Sequence, residues 1–241
     1  EKFEAPAADF GFSDSFVIFD DLFVPNERVF LCGEPPPFAG LLAHTFALYH
    51  RHSYTGCKPA VSDIITGASA LVAEYQGIAD KTHVRSKLAH LASVGELVYA
   101  AGIASAVAGQ TSSSGTFVPD TLYANVGRRH AGINVYHELE ILADLAGGLP
   151  ATLPYEGDFV SPRTRPYLEK YIMRKANVPA EKVHRCFRLL SDMLCSAASG
   201  ASALAGVHGG GSPVMEEILI TATYDFEEKK KVAKYLAGIK E

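Results

Sequence analysis

The sequence predicts a mainly α protein, a helical bundle preceded by a short β segment. Two observations carry the bundle. Apolar residues recur at three- and four-residue intervals through most of the chain after residue 39. Prolines and glycines cut that pattern into long blocks, and long helices joined by short loops pack as antiparallel bundles. A third observation carries the β segment: "SFVIFDDLFVPNERVFL", near the start, is dense in Phe, Val and Ile and lacks the helical period.

Taken in order, residues 16–19 and 28–31 read as short strands around a Pro25-Asn26 turn. Two strands do not make a stable sheet alone, so they either dock on the helices or pair with a sheet lying upstream. "CGEPPPFAG" reads as a linker, since three consecutive prolines interrupt a helix. Helices are then expected over 39–52 and 60–76. Over 82–109 the spacing of Val84, Leu88, Leu91, Val94 and Val98 predicts a third. "SSSGTFVP" reads as a polar loop, with Pro119 at the first turn of a helix that runs through Leu145 and ends on Gly147-Gly148. "LPATLPYEGDFVSPRTRP" is too rich in proline for regular structure. Further helices fit 165–175, 179–204 and 213–238, for a total of five or six.

Composition narrows the function classes. The chain has 241 residues, 48% hydrophobic, enough for a real core. A net charge of −5 gives no reason to expect a nucleic-acid or anionic membrane partner. Lys229-Lys230-Lys231 follows two glutamates and reads as a solvated helix face. The four cysteines, Cys32, Cys57, Cys186 and Cys195, form no close pair; they fit a reducing cytoplasm better than a disulfide framework. No apolar run approaches the ~20 residues of a membrane span. No secretory leader is recognisable, and the sequence opens on Glu1 rather than Met, so the gene product is expected to begin earlier.

The densest chemistry lies in "YHRHSYTGCK", residues 49–58. Pro59 removes the donor that would bond the Thr55 carbonyl, and Gly56 is flexible, so the helix is expected to kink or break near Gly56-Cys57. His50, Tyr54, Cys57 and Lys58 share one side at helical spacing. Along an unbroken helix His50 and Cys57 lie about 10 Å apart, far for one metal ion but suited to a cluster. A buried cysteine usually acts as a small hydrophobe, and a bundle histidine is often only a satisfied polar group. A whole set of such residues at a helix break is less easily explained that way.

"FVIFDDLFVPNERVF", "YHRHSYTGCK", "NVGRRHAGINVYHELEILADLAGGLPATLP" and "HGGGSP" together resemble the 4-hydroxybutyryl-CoA dehydratase / vinylacetyl-CoA Δ-isomerase family, within the 4-hydroxyphenylacetate 3-hydroxylase large-component superfamily. The resemblance covers essentially the whole chain and corresponds to the C-terminal part of such proteins. It implies an acyl-CoA-dehydrogenase-like fold, with residues 1–34 the end of a middle β-domain and 35–241 a C-terminal helical bundle. It implies FAD and a [4Fe-4S] cluster, held by His50 and Cys57 and by two cysteines of an N-terminal region that this sequence does not contain. The implied reaction is the radical dehydration of a 4-hydroxyacyl-CoA to crotonyl-CoA, with FAD as one-electron oxidant and the cluster as Lewis acid on the leaving hydroxyl. Isomerisation of vinylacetyl-CoA needs only proton movement at the same site.

By the same resemblance His50 is a ligand and, when displaced, a base; Tyr54 stabilises or shuttles a proton; Lys58 meets the flavin or the thioester carbonyl. Asp144, Gly147 and Gly148 match the segment where a helix ends on a Gly-Gly turn that binds the FAD pyrophosphate of a neighbouring subunit; read alone, that Gly-Gly is a helix cap. "HGGGSP" is either an interhelix turn or an anion site before a helix. Arg128 and Arg129 pair either with phosphate or with acids such as Glu138. One departure stands out: the dehydratases carry a Glu shortly before "HG", where this chain has Ala205 and Gly206, which implies stronger isomerase than dehydratase activity or another acyl-CoA. The expected assembly is a homotetramer, completed by an N-terminal half or partner chain, and the isolated chain is expected to be inactive. The alternatives are a flavin-dependent aromatic hydroxylase without metal, and a non-catalytic helical subunit.

Overall fold

The computed structural model describes residues 15–239; residues 1–14 of the expected β-domain portion and 240–241 of the helical portion lie outside the described residues. The described chain is mainly α. After a 3-10 turn at Asn26–Arg28 come α1 (Pro36–Gln76), α2 (Thr82–Val107), a hairpin of β1 (Gln110–Thr111) and β2 (Phe117–Val118), and α3 (Thr121–Ala146). Then follow α4 (Leu149–Thr152), α5 (Glu156–Val160), α6 (Arg165–Tyr171), α7 (Ala180–Cys195), α8 (Ala197–His208), α9 (Pro213–Thr223) and α10 (Phe226–Leu236).

α1, α2 and α3 form the central layer, and their contacts fix the direction of each. Ser62 meets Gly95 and Thr55 meets Gly102, so α2 runs antiparallel to α1. Ala101 meets Gly127, and the Asp120 amide donates to the Ser105 carbonyl at 2.9 Å, so α3 turns back along α2. α7 and α8 close one side of this layer and α9 packs on α3. The core joins Ile65, Val72 and Val84 to Leu91, Leu142, Phe159, Phe187 and Leu190.

The structure corrects several expectations. Residues 16–19 and 28–31 form no strand: Phe16, Phe19 and Phe30 are exposed, and no strand lies alongside them among the described residues. The strands that do form lie in the expected polar loop, where Gly115 at φ +83° makes the reversal and the Ser112 amide donates to the Thr116 carbonyl at 2.8 Å. The proline run does not delay the helix. Pro36 opens α1, because proline suits a first turn that needs no amide donor. The proline-rich stretch after Gly148 contains α4 and α5, with Pro150 likewise in a first turn.

The helix expected over 165–175 stops at Tyr171. The helix expected over 179–204 divides at Ser196, which is extended (ψ 155°) and whose hydroxyl accepts from the Ser199 amide at 3.0 Å. The helix expected over 213–238 divides before Asp225, whose carboxylate accepts from the Glu228 amide at 2.8 Å. By length and composition α2 is long and apolar enough to cross a membrane. That corrects the expectation that no run comes near this length; in the bundle its Val84, Leu91, Val94 and Val98 face α1 and α3.

The largest correction concerns α1. It is one helix of 41 residues and passes through Pro59 without breaking. Proline costs one hydrogen bond and some crowding in a helix interior. Packing against both α2 and α3 offsets that cost, because glycines on those helices admit α1 at close range. A Cβ at Gly102 would lie 2.4 Å from Thr55 Oγ1, and one at Gly127 would lie 2.9 Å from Thr55 Cγ2. Thr55 itself donates to the His52 carbonyl at 2.6 Å.

Gly102→Val therefore forces these helices apart and is expected to destabilise the fold by about 1–3 kcal/mol. Gly67, exposed on α1 with nothing within 4 Å of its would-be Cβ, should behave oppositely: Gly67→Ala is expected to add about 0.5–1 kcal/mol through helix propensity. Paired denaturant unfolding curves check both signs.

Candidate functional site

Because α1 is continuous, residues four apart stand one above another on it. His50, Tyr54 and Lys58 consequently line one open cavity of about 620 Å³, walled also by apolar side chains of α1 and α3, by Asp192 and Met193 of α7 and by small residues of α8. Cys57, two turns from His50, is exposed and does not line the cavity. Among the described residues no group of three or more His, Cys, Asp or Glu is placed to hold a metal ion.

Behind the cavity wall lies a layer of buried charge. Lys58 Nζ pairs with Glu138 Oε2, and Ser62 Oγ donates to Glu138 Oε1 at 2.7 Å. Both members of the ion pair are buried. The Lys58 ammonium therefore meets the cavity already compensated. Two turns back along α1 from Lys58, Arg51 joins Arg128 of α3 in facing Glu216, all three buried. Arg51 donates to the Asn125 side-chain carbonyl at 2.9 Å and to the Gly210 carbonyl at 3.0 Å. Arg128 Nη2 donates to the Val207 carbonyl at 2.9 Å, while its Nε lies 3.6 Å from Glu216 Oε1.

The "HGGGSP" segment is thus an interhelix turn held from beneath. Tyr54 donates to the Gly206 carbonyl at 3.2 Å, so three carbonyls of residues 206–210 are tied to α1 and α3. Gly211 at φ +98° completes the turn into α9. Gly206 itself packs closely on α3: a Cβ there would lie 2.9 Å from Val135 Cγ2.

Burial pushes the Tyr54 phenol above its ordinary range; the Arg128 charge pulls it back, and Glu138, Glu216 and Cys57 push it further up. Burial likewise raises Glu216, against the pull of Arg128 and Arg51. It also raises the Cys186 thiol to about 11, which leaves that buried cysteine an unreactive packing residue.

The family model described as 4-hydroxyphenylacetate 3-hydroxylase C terminal matches residues 39–238. The chain belongs to that family. Among its curated relatives, the 4-hydroxybutyryl-CoA dehydratase/vinylacetyl-CoA-Δ-isomerase of Clostridium aminobutyricum is 35% identical over 96% of this chain and 49% of its own length. The oxygenase component of 4-hydroxyphenylacetate 3-monooxygenase from Thermus thermophilus is 35% identical over 76% of this chain and 38% of its own length. Among solved structures, an oxygen-tolerant archaeal 4-hydroxybutyryl-CoA dehydratase from N. maritimus superposes with a TM-score of 0.84 at 36% identity, covering 93% of this chain and 44% of that one. A 4-hydroxyphenylacetate 3-monooxygenase oxygenase component, solved with FAD and 4-hydroxyphenylacetate, superposes with a TM-score of 0.83 at 28% identity over 91% of this chain and 46% of that one. The chain spans about half the length of the curated relatives it matches. The acyl-CoA-dehydrogenase-like helical bundle expected from the sequence holds.

The remaining family-implied positions lie apart from the cavity. Gly147, at φ +66°, and Gly148 form the turn after α3, with nothing within 4 Å of either would-be Cβ, so the backbone there is open to close approach. Asp144, one turn earlier, pairs with Lys87 of α2. Arg128 Nε lies 3.6 Å from Glu216 Oε1, and Arg129 bonds Glu217 at 3.0 Å; both acids lie on α9. Of the residues around the cavity, the sequence reading passed over Arg51, Ser62 and Glu216, and met Arg128 and Glu138 only as alternatives. A signal for two of them was present: Arg128 and Glu138 fall on the buried α3 stripe of Ala124, Ala131, Val135, Ile141 and Leu145, where helical period calls for apolar residues.

Removing one member of a buried ion pair strands the other charge. Lys58→Met is expected to cost about 3–5 kcal/mol of stability, and Lys58→Met/Glu138→Leu to recover most of that loss. Denaturant midpoints of the two variants check this.

Proposed function

We propose that this chain is the catalytic helical part of a flavin- and iron–sulfur-dependent 4-hydroxybutyryl-CoA dehydratase / vinylacetyl-CoA Δ-isomerase. Residues 1–34 belong, on this reading, to a preceding β-domain and 35–241 to the bundle. The observation that carries the reading is the stripe of His50, Tyr54 and Lys58 along one apolar cavity, with Cys57 two turns from His50. The curated relative with that dual name matches nearly all of this chain.

The donor set fits the cofactors in part. His50 and Cys57 would supply two of the four ligands of a [4Fe-4S] cluster, and two cysteines from outside this chain the others. The open turn at Gly147 and Gly148, after Asp144, would receive the FAD pyrophosphate of a neighbouring subunit. When bound, FAD supplies one-electron chemistry and the cluster Lewis acidity toward the leaving hydroxyl.

The chain's own residues handle protons and shape. Isomerisation of vinylacetyl-CoA removes a proton from carbon 2, moves the double bond from carbons 3–4 to carbons 2–3, and returns a proton to carbon 4. His50, when it is not ligating the cluster, is the base for that removal. Tyr54, one turn along, carries the proton held at its phenol. The Lys58 ammonium faces the thioester carbonyl, and Glu138 fixes its position. The mostly apolar walls suit the acyl chain.

A homotetramer in a reducing cytoplasm is the proposed state, its copies and the N-terminal half covering exposed apolar residues such as Phe46, Val107 and Ile133. Light scattering on the complete protein tests the assembly; a monomer would rule it out. The similarity to the Thermus oxygenase component keeps a metal-free flavin aromatic hydroxylase as the second reading. Iron and acid-labile sulfide, assayed in the complete protein purified anaerobically, separate the two: their absence eliminates the dehydratase reading. If flavin is missing as well, a non-catalytic subunit remains.

In the complete protein, His50→Ala and Cys57→Ser are each expected to abolish vinylacetyl-CoA turnover with helical content intact by circular dichroism. Tyr54→Phe should lower the rate by roughly 10²–10⁴-fold, the scale of a deleted acid–base group. The 241-residue chain alone is expected to fold yet stay inactive when given iron, sulfide and FAD.

A further inference from the structure

Tyr54 sits between two elements that treat its phenol differently. On one side its hydroxyl donates to the Gly206 carbonyl at 3.2 Å, a bond that only the neutral phenol can make. On the other, the Arg128 guanidinium carbon lies 4.2 Å from the centre of its ring, the geometry of a cation–π contact. Arg128 is fully buried, and its bond to the Val207 carbonyl holds the same turn that Tyr54 bonds one residue earlier. Tyr54, Arg128 and the 206–207 backbone form a closed ring of contacts in the cavity wall. The glycines leave no slack in it: a Cβ at Gly210 would lie 2.4 Å from Arg128 Nε, and one at Gly132 would lie 2.9 Å from Arg128 Nη1.

A guanidinium kept in so dry a place has a cost, since a buried charge needs full compensation. Here compensation is incomplete. Glu216 approaches only to 3.6 Å, and Arg128 Nε and Nη1 make no hydrogen bond to the described residues. Two arginines, Arg51 and Arg128, face that one glutamate. The site therefore carries more positive charge than pairing alone requires, directly against the aromatic ring that the proposed function assigns to proton transfer.

We propose that Arg128 is a positioning residue for catalysis, which fixes the Tyr54 ring against the cavity wall and sets a permanent positive charge on its face so that the phenol can release a proton to the substrate and recover it. This rests on the proposed function for the role of Tyr54. The charged and titratable groups around the phenol are His50, Arg51, Cys57 and Lys58 on α1, Arg128 and Glu138 on α3, Asp192 on α7 and Glu216 on α9. Arg128 is the neighbour that lowers the phenol's pKa; Glu138, Glu216 and Cys57 oppose it. Arg128→Met thus removes the pull toward the phenolate, and Glu216→Gln removes part of the push away from it.

The test uses the complete protein with 3,5-difluorotyrosine placed at position 54, whose phenol ionises well below that of tyrosine and is followed by fluorine NMR. The titration midpoint is expected to rise in Arg128→Met and to fall in Glu216→Gln. Arg128→Met/Glu216→Gln, which removes the buried pair together and so guards against misfolding, should also rise, because the arginine is the stronger influence. Arg128→Lys should stay near the parent. In the unlabelled protein, Arg128→Met is expected to lower kcat for vinylacetyl-CoA about tenfold, less than loss of the acid–base group itself. KM should change little, and the alkaline limb of the kcat profile should move upward with the phenol.

An unmoved midpoint in both Arg128→Met and the double variant would overturn the proposal. So would a moved midpoint with an unmoved kcat limb, which would reduce Arg128 to a structural residue. A parent protein that does not turn over vinylacetyl-CoA would overturn the proposed function instead, and the NMR titration would still decide whether Arg128 governs Tyr54.

Discussion

The close approach of three helices around Thr55 is the constraint from which the rest of the site follows. Gly102 and Gly127 bring α2 and α3 within van der Waals reach of α1 at the turn before Pro59. A helix with an internal proline is locally weaker by one backbone bond, and here its neighbours supply the support. Straightness has a chemical consequence. Only on an unbroken helix do His50, Tyr54 and Lys58 fall in line along one cavity, and only at this spacing can α3 reach beneath them with its own charged side chains.

That reach explains why α3 carries Arg128 and Glu138 on its buried stripe. They stand under Tyr54 and Lys58 respectively, one positive and one negative. Buried ion pairs contribute little net stability, because desolvation offsets most of the attraction. Their effect here lies in fixing position and electrostatics: Glu138 holds the Lys58 ammonium at the wall, and Arg128 holds the Tyr54 ring and the turn at residues 206–210. A purely apolar α3 would pack as well and leave both cavity groups free to choose other rotamers.

The exposed apolar residues have the opposite character. Phe16, Phe19, Phe23 and Phe30 precede the bundle with no partner strand among the described residues, and Phe46, Val107 and Ile133 face outward from the central helices. So much apolar exposure is unusual for a free-standing surface. It agrees with a chain that spans about half of the relatives it resembles, since the other half of such a protein has surfaces of its own to bury.

The sequence alone determined the fold class, the extents of α2 and α3 to within a few residues, and the family. Those features depend on local period, on Gly147 as a helix stop, and on short motifs such as "YHRHSYTGCK", all of which survive in one dimension. It also determined that His50, Tyr54 and Lys58 share a helix side, because spacing by four is a property of the helix itself. Tertiary structure decided what local rules misjudged. Pro59 predicts a break when read by propensity, and packing on glycines removed it. The strands near the start need partners, and hairpin strands formed instead where Gly115 turned the chain. The pairing of Arg128 with Glu216 and of Lys58 with Glu138 joins residues 80 or more positions apart, and no local pattern specifies which buried charge meets which. Only the packed bundle decides that, because a charge excluded from water must find whatever opposite charge the neighbouring helix brings within reach.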